Sequence, residues 1–131
     1  MIGVDTNVLV RFLTADSPEQ HEATVKFFAE RTPSDPAFVS AVTLAETAWV
    51  LRRSYDLTPS EIARSVSALL NSNDFVVEGA DNLEAVRSGI AKPSQIADFL
   101  VVHLASRAGC SHTVTFDKRA AKSVPGMELL A

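Results

Sequence analysis

Cysteine is almost missing from the chain. One thiol, Cys110, stands in 131 residues, so no internal disulfide forms and a reducing cytoplasm is the simplest expectation. Long apolar runs are missing as well, and nothing approaches the roughly 20 residues that a membrane helix needs. The opening Met1-Ile2-Gly3-Val4-Asp5 has neither the basic stretch nor the long apolar core of a secretory signal, and is expected to be part of the fold. The five glycines make no Gly-x-Gly-x-x-Gly or Walker-type phosphate loop. A Gly-x-Ser-x-Gly elbow is absent, and Cys110 has no evident base, which removes the common nucleophilic hydrolases. His21, His103 and His112 fall in different segments, so nothing points to zinc. No repeat, low-complexity tract or linker breaks the chain.

What is present fits one globular domain over residues 1–131. At 14.1 kDa the chain is long enough to bury a core without staples. An apolar share of 47% and a charged share of 21% exclude intrinsic disorder and collagen-like repeats. The net charge of −4 does not suggest nucleic acid. Its distribution is more informative: residues 1–84 carry thirteen acids against six bases, whereas residues 85–124 carry only Asp98 and Asp117 against six bases. The basic segment is local, and scattered surface lysines explain it as readily as a binding face does.

Short apolar runs alternate with helical periodicity. Strands are expected at Ile2-Gly3-Val4, Ala37–Ser40, Phe75-Val76-Val77 and Thr113-Val114-Thr115, with a fifth at Met127–Leu130. Helices are expected over Thr6–Thr14, from Ser17 towards Thr32, over about Val42–Tyr55, from Thr58 to about Leu70, over Asn82–Ile90 and from Ser94 to about Ala108. A short helix or turn follows from Asp117. Ser17-Pro18-Glu19-Gln20 and Thr58-Pro59-Ser60-Glu61 both read as capping boxes with proline at the first helical position. Gly109 is placed to end its helix. The alternation predicts an α/β sandwich with a mostly parallel sheet of four or five strands.

On that scaffold four acids fall near the carboxyl ends of strands. Asp5 directly follows the first strand, and Asp117 stands two residues past Thr115. Glu46 lies in the first turns of the helix after the second strand, and Asp98 lies one turn into the helix opened by Ser94. Open α/β sheets bind ligands at that edge, so the four are expected to converge on one site. Taken singly, each has an ordinary alternative: Glu46 partnering Thr43 in a capping box, Asp117 as an N-cap. As a set they repel without a counter-charge. Carboxylate and water oxygens suit Mg²⁺ or Mn²⁺. His103, five residues past Asp98 on a helix, is turned about 140° away and faces elsewhere. Asp5-Thr6-Asn7 lacks the second aspartate of a haloacid-dehalogenase-type phosphatase. Glu78-Gly79 stands where a response-regulator receiver has its phospho-accepting aspartate.

Val4-Asp5-Thr6-Asn7-Val8-Leu9 resembles the opening of PIN domains, and Thr43-Leu44-Ala45-Glu46 resembles their second motif. Ile96-Ala97-Asp98-Phe99 and Val114-Thr115-Phe116-Asp117 resemble the third and fourth. Order and spacing fit from residue 4 to 130, most closely to the small VapC-type toxins of type II toxin–antitoxin pairs. The resemblance implies a three-layer α/β/α sandwich and a ribonuclease that uses Mg²⁺ or Mn²⁺. It makes Asp5, Glu46, Asp98 and Asp117 the catalytic and metal-holding acids. Thr115 matches a hydroxyl residue that holds the carboxylates, and Thr6, Asn7 and Ser40 match further supports. Gln95 stands where many relatives carry one more acid. Lys118 and Arg119, beside Asp117, are the preferred RNA phosphate contacts. The resemblance further implies a VapB-type antitoxin placing a basic residue among the acids, and a homodimer. Trp49 and Phe27-Phe28 are expected in the core rather than on a dimer face. Two other classes stay open: a catalytically weak PIN-like RNA-binding module, against which the four intact acids argue and which Gln95 keeps open, and a Mg²⁺-dependent phosphatase with Asp5 as nucleophile.

Overall fold

Alternating short strands and longer helices dominate the computed structural model, which describes all 131 residues. In chain order the elements are β1 (Ile2–Gly3), α1 (Thr6–Thr14), α2 (Pro18–Ala29), β2 (Ala37–Val39), α3 (Ala41–Arg53), α4 (Pro59–Asn71), β3 (Phe75–Val77), α5 (Glu84–Arg87), α6 (Ile96–Arg107), β4 (Thr113–Thr115), α7 (Lys118–Ser123) and β5 (Met127–Leu129). Single 3₁₀ turns over Ala80–Leu83 and Pro93–Gln95 lead into α5 and α6.

All strand pairs are parallel, as the alternation predicts, and the arrangement is the α/β/α one. Hydrogen bonds join the five strands as two ladders, β1-β2-β3 and β4-β5, rather than as one sheet. Ile2 pairs with Ala37 and Ala37 with Phe75, while Thr113 pairs with Met127. Strands of two or three residues bury little by themselves, so the core leans on the helices. Leu9, Leu44, Leu51, Leu83 and Ile96 are fully enclosed in a cluster of 21 buried apolar residues. Each such side chain contributes roughly 1.5–3 kcal/mol. Phe28 joins the core, with ring centroids 4.5 Å from Phe12 and 5.2 Å from Phe75. Trp49 does not join it: contrary to the expectation, 59% of it is exposed.

The helix starts separate real caps from apparent ones. At α4 both bonds of the capping box form: Thr58 Oγ1 accepts from Glu61 N at 3.2 Å, and Glu61 Oε1 accepts from Thr58 N at 3.1 Å. At α2 the box does not form. Ser17 makes no side-chain cap bond, and Gln20 Oε1, the reciprocal acceptor of such a box, is taken instead by the charged Arg11 Nε at 2.6 Å. The segment expected as one helix over Asn82–Ile90 breaks into a 3₁₀ turn and the single turn of α5, ended by Gly89 at φ +78°. Helix α6 ends as expected at Gly109. Its N–H bonds Ser106 O at 3.0 Å and Cys110 N bonds Ala105 O at 3.0 Å, a paired closure that needs the left-handed φ of +96°. Gly126 also lies at positive φ, +92°, where a Cβ would stand 2.8 Å from Val102 Cγ1.

Candidate active site

Asp5 leaves β1 with extended backbone and caps α1, its Oδ1 accepting from Thr6 N at 2.8 Å. Thr6 then turns its hydroxyl across to α3 and donates to Glu46 Oε1 at 3.1 Å. Glu46 is free for this because it caps nothing. The N-cap of α3 is Ser40, one turn earlier than Thr43, and Ser40 Oγ accepts from Thr43 N at 3.1 Å. The alternative reading of Glu46 as a capping-box partner is thereby excluded. Asp5, Thr6, Asn7 and Glu46 line one open cleft of about 380 Å³.

Asp98 and Asp117 come from later elements. Asp117 caps α7, its Oδ1 accepting from Arg119 N at 2.9 Å and Ala120 N at 3.0 Å. Thr115 Oγ1 in turn accepts from Asp117 N at 3.0 Å, which fixes the turn after β4. Asp98 lies in the first turn of α6, half-buried. Burial, and secondly the Asp117 charge, push its carboxyl above the usual aspartate range.

Asp5 and Glu46 share a cleft lining, and Asp117 lies near enough for its charge to act on Asp98. Helix α6, which carries Asp98, packs against α3, which carries Glu46. No three acidic, histidine or cysteine side chains gather where one ion would touch them all. The donor set, all carboxylate oxygen with Asp98 held towards its neutral form first by burial and then by the Asp117 charge, does fit Mg²⁺. That ion keeps much of its water and is held by one or two carboxylates, with substrate phosphates completing its shell.

Gln95 is turned to structural work. Its Nε2 donates to Ser123 Oγ at 2.5 Å and its Oε1 accepts from Lys92 N at 3.4 Å, tying the start of α6 to the end of α7. Asn7 is exposed at the cleft, with no side-chain hydrogen bond. Lys118 and Arg119 are exposed and enter no ion pair. His103 faces Asn82, with Nδ1 3.0 Å from its Oδ1, away from the acids as expected.

Two polar residues escaped the sequence reading. Glu78, just past β3, accepts from Ala41 N at 2.8 Å and so completes the cap of α3. Its position, an acid right after a strand, was the available signal. Arg11 lines the cleft that holds Asp5 and Glu46, and its guanidinium is oriented by Tyr55 Oη at 2.7 Å and Asp16 Oδ1 at 3.2 Å. Only the fold reveals it, since Tyr55 lies far along the chain.

A family model described as PIN domain matches residues 2–125, a span that includes all four acids. No curated protein and no solved structure matches the chain.

Proposed function

The chain belongs to the PIN-domain family, generally Mg²⁺-dependent nucleases, and on that premise we propose that it is a metal-dependent endoribonuclease, the toxin of a VapBC-type pair. The observation that carries the reading is Asp98, whose carboxyl is held above its usual range by burial and by Asp117. Burial favours the neutral form of that one carboxyl, and a cation beside it reverses the preference.

In this reading Asp5, Glu46, Asp98 and Asp117 hold Mg²⁺ or Mn²⁺. When bound, such an ion offsets phosphate charge and favours in-line attack by water on the phosphodiester. Thr6 aims Glu46, and Thr115 fixes the turn that presents Asp117. Ser40, by capping α3, sets the height at which Glu46 enters the cleft. Lys118 and Arg119 take RNA phosphates. A VapB-type antitoxin silences the site by laying a basic residue among the acids, and the working form is a cytoplasmic homodimer.

The second reading, a catalytically weak RNA-binding module, is supported by the neutral Gln95, whose amide is engaged with Ser123. Cleavage decides between them. Purified protein is incubated with total bacterial RNA in Mg²⁺, Mn²⁺ or EDTA, beside Asp5→Asn. Discrete fragments that need metal and vanish in the variant are expected. RNA that binds but stays intact in every metal would replace the nuclease with the module.

A further inference from the structure

Helix α3 walls two recesses. Glu46, Val50 and Ser54 line the acidic cleft. Around the helix Ala45, Ala48, Trp49 and Arg52, at i, i+3, i+4 and i+7, line an apolar groove of about 280 Å³ that Ile62 of α4 and Pro93 close from the far side. Trp49 is the chain's only tryptophan, and 59% of it is exposed. Large apolar groups left open to water ask for an occupant.

Cations surround that indole. The Arg53 guanidinium lies 5.6 Å from its ring centroid, and Arg52 and Lys92 stand on the groove itself. The one carboxylate paired with them, Asp56 at 3.9 Å from Arg52, is fully open to solvent and holds it weakly. Two of the six bases in the acid-rich residues 1–84 are therefore Arg52 and Arg53.

We propose that this groove takes the single-stranded RNA segment next to the scissile phosphate, with one base stacked on Trp49 and its phosphates on Arg52, Arg53 and Lys92. The inference rests on the ribonuclease reading and deepens it. Glu46, Trp49 and Arg53, at i, i+3 and i+7, form one stripe along α3. Helix neighbours at such spacings lie about 5–6 Å apart, close to one nucleotide's reach. A strand at Glu46 thus presents its next base to the indole. Base stacking on an aromatic face tolerates any sequence, and flanking cations track the backbone. An acidic peptide would meet the same cations, but only a substrate strand uses the continuity of the stripe with the carboxylate cleft.

The test uses a fluorescein-labelled 12-nucleotide RNA in EDTA, so that no strand is cut. Binding is followed by anisotropy and by Trp49 emission. RNA is expected to quench the indole. Trp49→Ala weakens binding roughly ten-fold, whereas Trp49→Phe keeps most of it. Arg52→Gln combined with Lys92→Gln lowers the slope of log affinity against log salt by about 1.4, at about 0.7 for each lost phosphate contact. Mg²⁺ binding, read by calorimetry, is unchanged in all of these. If Trp49→Ala binds RNA as tightly as the parent while the parent still cuts RNA with Mg²⁺, the groove assignment falls and the nuclease stands. If the parent neither binds nor cuts RNA, both fall. A Trp49 emission that ignores RNA and answers a glutamate-rich peptide, or a Trp49→Ala protein that changes only its sedimentation, makes the groove a protein interface and overturns the inference.

Discussion

Thr6 Oγ1 donates to Glu46 Oε1 at 3.1 Å, so a buried hydroxyl in the first turn of α1 aims a carboxylate on α3. Thr6→Val keeps the shape and removes the donor. Stability is expected to fall by about 1 kcal/mol in urea titrations. RNA cleavage at saturating Mg²⁺ is expected to fall about ten-fold, equivalent to a similar energy in the barrier. Thr6→Ser should restore most of both. Unchanged cleavage in Thr6→Val would show that Glu46 needs no guide.

Asp98 carries a pH signature. Its folded pKa is raised above the ordinary 3.8, first by burial and then by Asp117. Between the two values the native chain holds the extra proton, so stability falls as pH rises through that window. Asp98→Asn removes the dependence. In EDTA the variant is expected to melt above the parent at neutral pH and level with it at about pH 3, below the ordinary carboxylate range. Equal melting at both pH values would contradict the strain assigned to Asp98. Cleavage should be lost in the same variant.

The Thr58 box is a stability element distant in role from the acids. Thr58→Ala removes the acceptor for Glu61 N and is expected to cost roughly 0.5–2 kcal/mol. Calorimetric Mg²⁺ affinity should not move. A matching loss of affinity would tie α4 to the site.

Gly126 is held by its neighbours. Its φ of +92° and the 2.8 Å approach of Val102 Cγ1 both oppose a side chain. Gly126→Ala is expected to lower stability by roughly 1–3 kcal/mol. Hydrogen exchange should then speed up at the β5 amides before those of β2. Uniform acceleration would mean that the two ladders unfold as one unit.

Much of this was legible in the residues. Pro59 with Thr58 and Glu61 fixed the start of α4, because the local chemistry has one good solution. Gly109 announced the end of α6 for the same reason. Ser17 and Gln20 had the same kind of pattern, yet no box formed there, and Gln20 is drawn instead to the charged Arg11 nine residues earlier. The order of the acids along the strands was readable, and so was their nearness to strand ends. That Thr6 would hold Glu46 was not, since it depends on how α1 packs against α3. Trp49 misled because a large apolar residue at helical spacing ordinarily faces inward. Nothing in its neighbours signalled a groove assembled from α3, α4 and the turn before α6.

The closure of α6 at Gly109 leaves Cys110 exposed just beyond the helix end. Asp98 sits at the other end of the same helix, which packs against α3 and its Trp49. At 1.5 Å per residue the thiol lies roughly 18 Å along the axis from Asp98. With one cysteine and one tryptophan in the chain, the molecule carries its own optical ruler. A dye on Cys110, excited by energy transfer from the indole, reports any sliding of α6 against α3 without a single engineered residue.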